Sequence, residues 1–487
     1  MSFIINMSDD VQTSMVERTA VAPSVPDLLR VSPMNTTTAT DVETSISDPV
    51  VISNKFCRFV LLNKGILHSH SKVTLGVIAQ TNGSTTFFPP TCGVASLIQR
   101  AALKVGTKTL QEIDGYSFMT TYKNMFISNE HQKEREQVQS AKCISHEFRY
   151  LDTDTTTGSE NNTKALTYGL SNGNEYDGDD LKVHRWQDLK NAPLFQIALS
   201  DLFPMLKQTQ LPLYMMEEQV SIELTFTSKD EQRAQNASGG ATGTYTVDTT
   251  NVQFVADYIY YPQEMMAAYR AANPVITINH FDYRHSKVSV SATSANGATL
   301  IRNLGGAGRI VTKVITGLQS ADTGQDDGIT NVYHSMSPER FYQINEAPSA
   351  AKVNGSLTVN LKYNDRFLYP IDVTNPARQF HNTAQAEGMV PFVSREEFCA
   401  EGVALTDDAF EGYIQNKGDS ATEKGICGRF NWLSYRLNRN ERINSRGIEY
   451  YYKYDGLNAD AAYVQRSWLE IAKVTVLQNG YVTTELI

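Results

Sequence analysis

The sequence has few cysteines and pairs none of them in a short motif. Five cysteines are spread over 487 residues, and no two of them form a Cys-x-x-Cys pair. A disulfide scaffold needs a denser, even-numbered set and a zinc ribbon needs close pairs, so both are excluded. We expect the chain to fold in a reducing compartment. The five residues are Cys57, Cys92, Cys143, Cys399 and Cys427.

The sequence also lacks a membrane-spanning run and a leader. No apolar run approaches the ~20 residues that a transmembrane helix requires. The first residues, MSFIINMSDD, contain no basic region followed by an apolar core, so we expect no secretory signal peptide. These absences predict a soluble chain that is not exported by the standard route.

Phosphate-binding loops are a further absence. Gly106, Lys108 and Thr109 lie close together, but the first glycine of G-x-x-x-x-G-K-[ST] is missing and Lys108 does not follow a glycine. We interpret Gly106 as the turn of a β-hairpin, with Lys108 on the next strand. The glycine cluster at 305–308 lacks G-x-G-x-x-G spacing, so we expect a loop or bulge there.

The nine histidines form no recognisable metal motif. His68 and His70 lie two residues apart, as ligands on one strand face do, but no third ligand is near in sequence. Ring packing or solvent exposure is the better interpretation. His280 and His285 flank the sequence FDYR and gain no support as ligands either.

Catalytic patterns are missing as well. The acidic loops at 152–154 and 322–328 lack the ligand spacing of a calcium-binding EF-hand. Calcium binding through oxygen atoms scattered over several loops is left as an alternative. No G-x-S-x-G occurs, and no Ser-His-Asp set can be assembled. We therefore predict no catalytic residue, no cofactor-binding residue, no metal ligand and no enzymatic activity.

An excess of positive charge is absent too. Lys and Arg total 43 against 53 Asp and Glu, a formal net charge of -10. An acidic chain does not attract nucleic acid through its overall field, and we expect no sequence-specific nucleic-acid partner. The basic stretch from Arg429 to Arg446 contains Glu441 and precedes Glu449, so we interpret it as a salt-bridged face. A surface facing a genome or another subunit is the alternative.

The residues that are abundant indicate β structure. The chain has 24 Tyr, 20 Phe and 30 Gly, which suit half-buried strands joined by turns. Short strand-like runs separated by long polar loops are typical of a sandwich or jelly roll. We predict an N-terminal arm over 1–50, a β unit over 51–262, a connecting helix over 263–273 and a second β unit over 274–487.

Periodicity refines this division. The apolar spacing from Phe118 to Phe126 predicts one face of a short helix, and a further short helix is possible near 394–397. Residues 251–262 read as one strand, whereas 275–292 read as two β runs. Long polar loops are expected at 151–180, 228–249 and 319–332.

Three segments resemble one family when they are taken in order. Strand, glycine turn, strand and aromatic helix follow one another through Val105-Gly106, Ile113-Asp114 and Tyr116 to Phe126. Next come the lead-in Leu211-Pro212-Leu213 and the strand-to-helix passage from Phe254 to Arg270. Together they resemble the double jelly-roll major capsid proteins of DNA viruses. The sequence is most similar to those of polinton-like viruses and virophages, which belong to the adenovirus–tectivirus capsid lineage.

The resemblance implies a fold and a role. It implies an all-β chain with two consecutive eight-stranded jelly rolls, short connecting helices and long surface loops. It also implies homotrimers that form pseudo-hexameric capsomers of an icosahedral capsid, with penton and minor capsid or cement proteins as further partners. The expected location is the virion, after assembly inside the host cell. A β-sandwich that binds receptors or carbohydrate is the alternative function, and a β-sandwich glycoside hydrolase is a third.

Overall fold

The computed structural model consists of two β-sandwiches joined by one helix. It describes residues 41–81, 86–87, 93–124, 139–140, 194–207, 209–227, 235–236, 244–291, 298–320, 356–374, 376–388, 433–437, 441–455 and 462–487. The predictions for the arm up to residue 40, for the loops at 152–154, 151–180 and 322–328, and for a helix near 394–397 lie outside these residues.

The first sandwich contains strands β1 to β12. They are β1 (Asp41–Ser47), β2 (Val51–Ile52), β3 (Phe56–Val60), β4 (Ile66–Leu67), β5 (Lys72–Thr81), β6 (Thr86–Phe87), β7 (Ile98–Val105), β8 (Lys108–Asp114), β9 (Leu194–Ala198), β10 (Val220–Phe226), β11 (Gln235–Asn236) and β12 (Thr244–Tyr260). One sheet has the order β1–β12–β5–β9, with β4 attached to β12. The other is β2–β3–β10–β7–β8, and β6 pairs with β11 separately.

The second sandwich contains strands β13 to β21. They are β13 (Val275–Ser291), β14 (Ala298–Gly305), β15 (Val311–Ser320), β16 (Ser356–Tyr363), β17 (Arg366–Phe367), β18 (Leu433–Arg436), β19 (Ile448–Asp455), β20 (Ala462–Gln478) and β21 (Tyr481–Leu486). One sheet has the order β13–β20–β15–β18, with β21 attached to β20, and the other is β14–β19–β16–β17.

Both sandwiches have the same topology. When the eight main strands of each are counted in chain order, one sheet runs first, eighth, third, sixth and the other second, seventh, fourth, fifth. That order is the double Greek key of an eight-stranded jelly roll. The predicted fold, two consecutive jelly rolls in one all-β chain, is confirmed.

Short helices join and cover the strands. Among the residues that the structure describes, α-helices with both ends placed are α1 (Tyr116–Asn124), α2 (Leu199–Leu202), α3 (Gln263–Ala272) and α4 (Pro376–Ala386), and short 3-10 turns span Gly93–Leu97, Pro204–Lys207 and Leu213–Met215. Helix α1 lies where the apolar spacing predicts it. Helix α3 connects the two jelly rolls, and Pro262 precedes its first residue, where a missing N–H removes no helical bond.

The first jelly roll begins earlier than the sequence predicts. Residues 41–47 were assigned to the arm but form β1, which pairs with β12 from Asp41 opposite Tyr260 to Ser47 opposite Phe254. Strand β1 is an edge strand and none of its side chains is fully buried. Its apolar alternation is therefore weak, which explains why periodicity missed it.

The predicted break within residues 275–292 is also wrong. Residues 275–291 form the single strand β13, whose 17 residues pair without interruption along the 17 residues of β20. Polar residues lie at the centre of this strand, among them Asp282 and His285. In the structure they contact the first jelly roll, so they continue the strand.

The hydrophobic core of the first jelly roll extends into the second. It includes Ile276, Ile278, Ile315, Trp468, Leu477 and Val482 from the second jelly roll. Every residue from 464 to 471 on β20 is buried. Because successive strand residues point to opposite faces, this unbroken burial shows that both faces of β20 are covered. Leu469 and Ile471 pack in the second core, whereas Trp468 packs in the first.

Candidate functional site at the junction of the jelly rolls

Strand β8, in the hairpin β7–β8, and helix α1 contact strands β13, β15 and β20 of the second jelly roll. We call this contact between the two jelly rolls the seam. Gly106 has φ +57°, and its N–H donates to the Gln219 carbonyl at 2.9 Å. Lys108 lies opposite Val105 in the ladder, with its Nζ 3.6 Å from Glu218 Oε2. The segment that resembles part of a phosphate-binding loop is therefore a hairpin turn, as interpreted from the sequence.

The outer edge of β8 is bonded by side chains of the second jelly roll. The Glu112 N–H donates to Asp282 Oδ1 at 3.1 Å, and Lys473 Nζ donates to the Thr109 carbonyl at 2.8 Å. Lys473 also pairs with Asp282 at 2.8 Å. An edge strand presents unpaired backbone groups that can recruit other strands. Here two of these backbone groups, the Glu112 N–H and the Thr109 carbonyl, are hydrogen-bonded within the chain.

At the end of β8, an aspartate, a histidine and a tryptophan pack together. Trp468 Nε1 donates to the Asp114 carbonyl at 2.9 Å, and His285 Nδ1 lies 3.0 Å from Asp114 Oδ2. The His285 and Trp468 rings stack, with centroids 4.6 Å apart. A Cβ on Gly115 would lie 2.9 Å from the indole, so only glycine fits this approach without a shift.

The protonation of this pair follows from its burial. Burial lowers the pKa of His285, an effect that the hydrogen bond to Asp114 only partly offsets. For Asp114, burial raises the pKa, but the His285 hydrogen bond and nearby positive charge outweigh it and the net shift is downward. The imidazole is stacked beneath the indole. This Asp–His pair therefore joins the two jelly rolls and has the geometry of a packing contact.

Helix α1 contributes aromatic and cationic contacts. The Arg466 guanidinium carbon lies 3.7 Å from the centroid of the Phe118 ring, and Lys123 Nζ lies 4.7 Å from that of Tyr283. Arg466 is buried despite its charge. A cation over an aromatic face is attracted by the ring quadrupole, most strongly when water is excluded.

A buried polar cluster of the seam includes Glu387, which directly follows α4. The Tyr122 hydroxyl donates to Glu387, and Lys313 Nζ lies 2.7 Å from Glu387 Oε1 and 3.5 Å from Glu470 Oε2. The Tyr283 hydroxyl donates to Glu470 at 3.1 Å. Burial lowers the pKa of Lys313, but the two carboxylates outweigh it and the net shift is upward. Burial and Glu387 raise the pKa of Tyr122 well above its ordinary value.

The histidines singled out in the sequence fall in two places. His68 is buried, and its ring packs edge-on against His70 with centroids 4.6 Å apart. His280 is buried beside Thr475, whose Oγ1 lies 2.9 Å from Nε2. Within the described ranges, no three His, Cys, Asp or Glu side chains come together in a way that could hold a metal ion.

The glycine cluster and the basic stretch also have structural roles. Gly305, Gly306 and Gly308 adopt positive φ in the turn between β14 and β15. In the described part of the basic stretch, Arg446 pairs with Asp365 at 2.5 Å rather than with the glutamates nearby in sequence. Cys57 is a buried free thiol, and burial raises its pKa to about 12.

The second-jelly-roll half of the seam was not found from the sequence. Its residues are Asp282, Tyr283, His285, Lys313, Arg466, Trp468, Glu470 and Lys473. The sequence contains one signal that could have identified these residues, which is charge inside a strand. Arg466, Glu470 and Lys473 interrupt the apolar run of β20. Charged side chains are almost never fully buried unless they are paired, so their position in a long strand marks a contact on its second face.

Comparison with known proteins agrees with this architecture. The family model described as "Major capsid protein N-terminus" matches residues 66–262. The matched segment comprises most of the first jelly roll, from β4 to the residue before the connecting helix. No curated protein matches the sequence.

Solved capsid structures share the fold over the whole chain. The cryo-EM structure of the Sputnik virophage matches with a TM-score of 0.54 at 10% identity, covering 96% of this chain and 93% of that one. The mavirus major capsid protein matches at 0.50 and 10%, covering 100% and 96%. The PBCV-1 virus capsid matches at 0.50 and 13%, covering 94% and 99%. The predicted resemblance to double jelly-roll capsid proteins is confirmed.

Proposed function

We propose that the chain is the structural subunit of an icosahedral DNA-virus shell and that three copies form one pseudo-hexagonal capsomer. The single observation that carries this is the pair of jelly rolls of identical strand order held by a buried seam. Three such chains supply six nearly equivalent units, which suits a six-cornered tile. The capsid domain over 66–262 supports the same role.

The proposal divides the chain by role. The jelly rolls, β1–β12 and β13–β21, build the tile, and residues before β1 form the arm that ties neighbouring tiles together. Other copies are the main partners, with penton and minor capsid or cement proteins at specialised positions. The chain works in the virion capsid after assembly inside the host cell, and its role is structural rather than catalytic.

The chain's surface is compatible with this setting. None of the helices in the described ranges has the length and hydropathy of a membrane span. The net charge of -10 gives the coat no overall attraction for the genome. We propose that DNA contacts, where they occur, are not sequence-specific.

The test is the mass of the purified chain in solution. We expect size-exclusion chromatography with light scattering to give a species close to three times the chain mass of 54.2 kDa. Negative-stain images of that species should show six-cornered particles. A monomer at every concentration, or a monomer that hydrolyses a sugar substrate, would contradict the proposal.

A further inference from the structure

The segment that forms the seam has a counterpart in the second jelly roll. Lys104–Asp114 reads KVGTKTLQEID, and Lys362–Asp372 reads KYNDRFLYPID. Both segments begin with Lys, end with Ile-Asp and share the leucine three positions before the isoleucine. The hairpins also share their register, because Val105 pairs with Lys108 and Tyr363 pairs with Arg366.

The two turns share a positive φ at their first central residue, whereas at the second central residue φ is positive in Asp365 and not in Thr107. Gly106 has φ +57° and Asn364, at the equivalent position, has φ +49°. Asparagine is among the few non-glycine residues that adopt this conformation readily. The chain therefore carries two copies of one structural device, and each follows the fourth main strand of its jelly roll.

The two copies differ in what covers them. Ile113 is fully buried, and the first segment contacts the second jelly roll through the seam. Its counterpart Ile371 is 72% exposed, and Phe367, four residues earlier in the same segment, is 52% exposed. A contiguous exposed apolar surface marks an interaction site, and these two side chains are the exposed apolar residues of this segment from which we argue one. The segment Lys362–Asp372 thus resembles Lys104–Asp114 in sequence, but these two side chains are exposed instead of covered by a second jelly roll.

The partner surface of the seam has a counterpart too. The seam covers the sheet β13–β20–β15–β18, and the equivalent sheet of the first jelly roll is β1–β12–β5–β9. Across this sheet Ile46 pairs with Val255, Val255 with Lys72 and Lys72 with Ala198, so all four point to one face. Their neighbours in the sequence, such as Phe254, pack in the core, so this face points outward.

This outward face is open where its counterpart is covered. Ile46 is 64% exposed on β1, and Leu194 is 52% exposed at the opposite edge on β9. Each chain thus has one open segment and one open receiving face. A contact between two different surfaces is heterologous, and repeated contacts of this kind close into a ring when the rotation permits.

We propose that the segment Arg366–Asp372 of one copy lies against the outer face of the β1–β12–β5–β9 sheet of the next copy, as β8 lies against β13 and β20 within the chain. This inference rests on the proposed trimer and assigns the surfaces that close it. Phe367 and Ile371 supply the apolar part on one side, and Ile46 and Val255 supply it on the other.

Charged substitutions on each side test the assignment. We expect Ile46→Lys and Ile371→Asp each to require a ~10-fold or greater rise in protein concentration for trimer formation. This corresponds to about 2.7 kcal/mol per trimer, because the trimer association constant scales with the inverse square of the midpoint concentration. Met265→Asp is the matched control, because Met265 is 42% exposed on α3 and lies on neither surface. Light scattering measures assembly, and circular dichroism with thermal unfolding verifies that each variant is folded.

Cross-linking the unaltered trimer gives a second readout that does not depend on variants. Lys362 Nζ lies 5.9 Å from the centroid of the Phe367 ring, and Lys72 is on the receiving face. In trimers mixed from isotopically light and heavy chains, a lysine-reactive reagent should link Lys362 of one copy to Lys72 of another. Intermolecular links from Lys362 that map only to other regions would overturn the assignment.

The outcomes separate the two proposals. If the unaltered chain is a trimer and both charged variants assemble as readily as Met265→Asp, the assigned surfaces are wrong and the proposed function stands. If the unaltered chain never leaves the monomer, the proposed function fails and the assignment fails with it.

Discussion

Single residues at the seam hold polar groups whose partners lie in the other jelly roll. Trp468, Lys473 and His285 each reach across to Asp114 or Thr109. A buried group that loses its partner costs ~1–3 kcal/mol, because it has already given up its bonds to water. The contribution of these residues is therefore measurable one at a time.

Trp468→Ala should destabilise the folded chain strongly. Trp468 is fully buried, and its removal leaves a large cavity and an unbonded Asp114 carbonyl. We expect a loss of ~3–5 kcal/mol in the free energy of unfolding, measured by urea denaturation. Tyr481→Ala is the control, since Tyr481 is 59% exposed and its loss should change stability by less than ~0.5 kcal/mol. Equal losses would show that the seam does not stabilise the chain.

His280 should make stability depend on pH. Burial, together with Lys473, lowers the pKa of His280 to about 4, against 6.5 for the free side chain. Between these values the unfolded chain binds the proton and the folded chain does not, so stability falls as the pH drops from 6.5 toward 4. Above pH 6.5 this group has no effect.

The variant His280→Gln isolates this contribution. We expect it to reduce the fall in unfolding free energy between pH 7 and pH 4.5 by an amount on the order of 2 kcal/mol, since one pKa unit corresponds to ~1.4 kcal/mol. His381→Gln, at an exposed histidine on α4, is the matched control and should leave the slope unchanged. Identical slopes for all three proteins would refute the role of His280.

Residue roles were the least predictable feature from the sequence. His285 bonds Asp114 across 171 residues of chain, and His280 bonds Thr475 across 195. Neither partner is identifiable from local spacing, because the tertiary fold brings them together. The turn at Gly106 was predictable, since a positive φ is a local property of the hairpin.

Among elements, the hairpin β7–β8 offers the clearest test. Gly106 and Gly308 both have positive φ, but a Cβ on Gly106 would lie 2.9 Å from Glu218 Oε1, whereas Gly308 has open space around it. Gly308→Ala should cost ~1–2 kcal/mol from backbone conformation alone. Gly106→Ala should cost more, because it also displaces Glu218, which accepts from the Val482 N–H. Thermal unfolding of both variants measures the difference, and an equal loss would contradict it.

Strand β1 should be needed for the first jelly roll. It pairs over its whole length with β12, and its loss would expose the edge of a 17-residue strand. We expect a chain starting at residue 48 to aggregate or unfold at a lower temperature than one starting at residue 41. Equal melting temperatures and solubility would refute this.

Element boundaries were predictable where the apolar residues recur at a clear period and a proline or glycine marks the end of the element. Helix α1 has a one-sided apolar stripe, and α3 follows Pro262, so both were located closely. Strand β1 was missed because an edge strand has little to bury. Strand β17 pairs with β16 over only Arg366 and Phe367, and Pro370, which cannot donate to a ladder, follows three residues after its end.

The whole molecule should unfold as one unit. The first hydrophobic core includes Trp468, Ile315 and Ile278 from the second jelly roll, so this core is incomplete without that jelly roll. We expect calorimetry of the unassembled chain to give one cooperative transition. Residues 275–487 expressed alone should bind a hydrophobic dye or precipitate, because the Trp468 face is then bare. Two well-separated transitions would show that the jelly rolls are energetically independent.

The connecting helix α3 has a consequence for how assembly depends on concentration. It tethers one jelly roll to the next, so their seam forms at an effective concentration in the millimolar range that does not change with expression level. In a ring of three such chains, half of the contacts are then made as each chain folds, and only the other half obey mass action. A shell built this way responds to subunit concentration less steeply than one built from separate jelly rolls. In the proposed shell, the covalent link therefore lowers the chain concentration at which assembly begins.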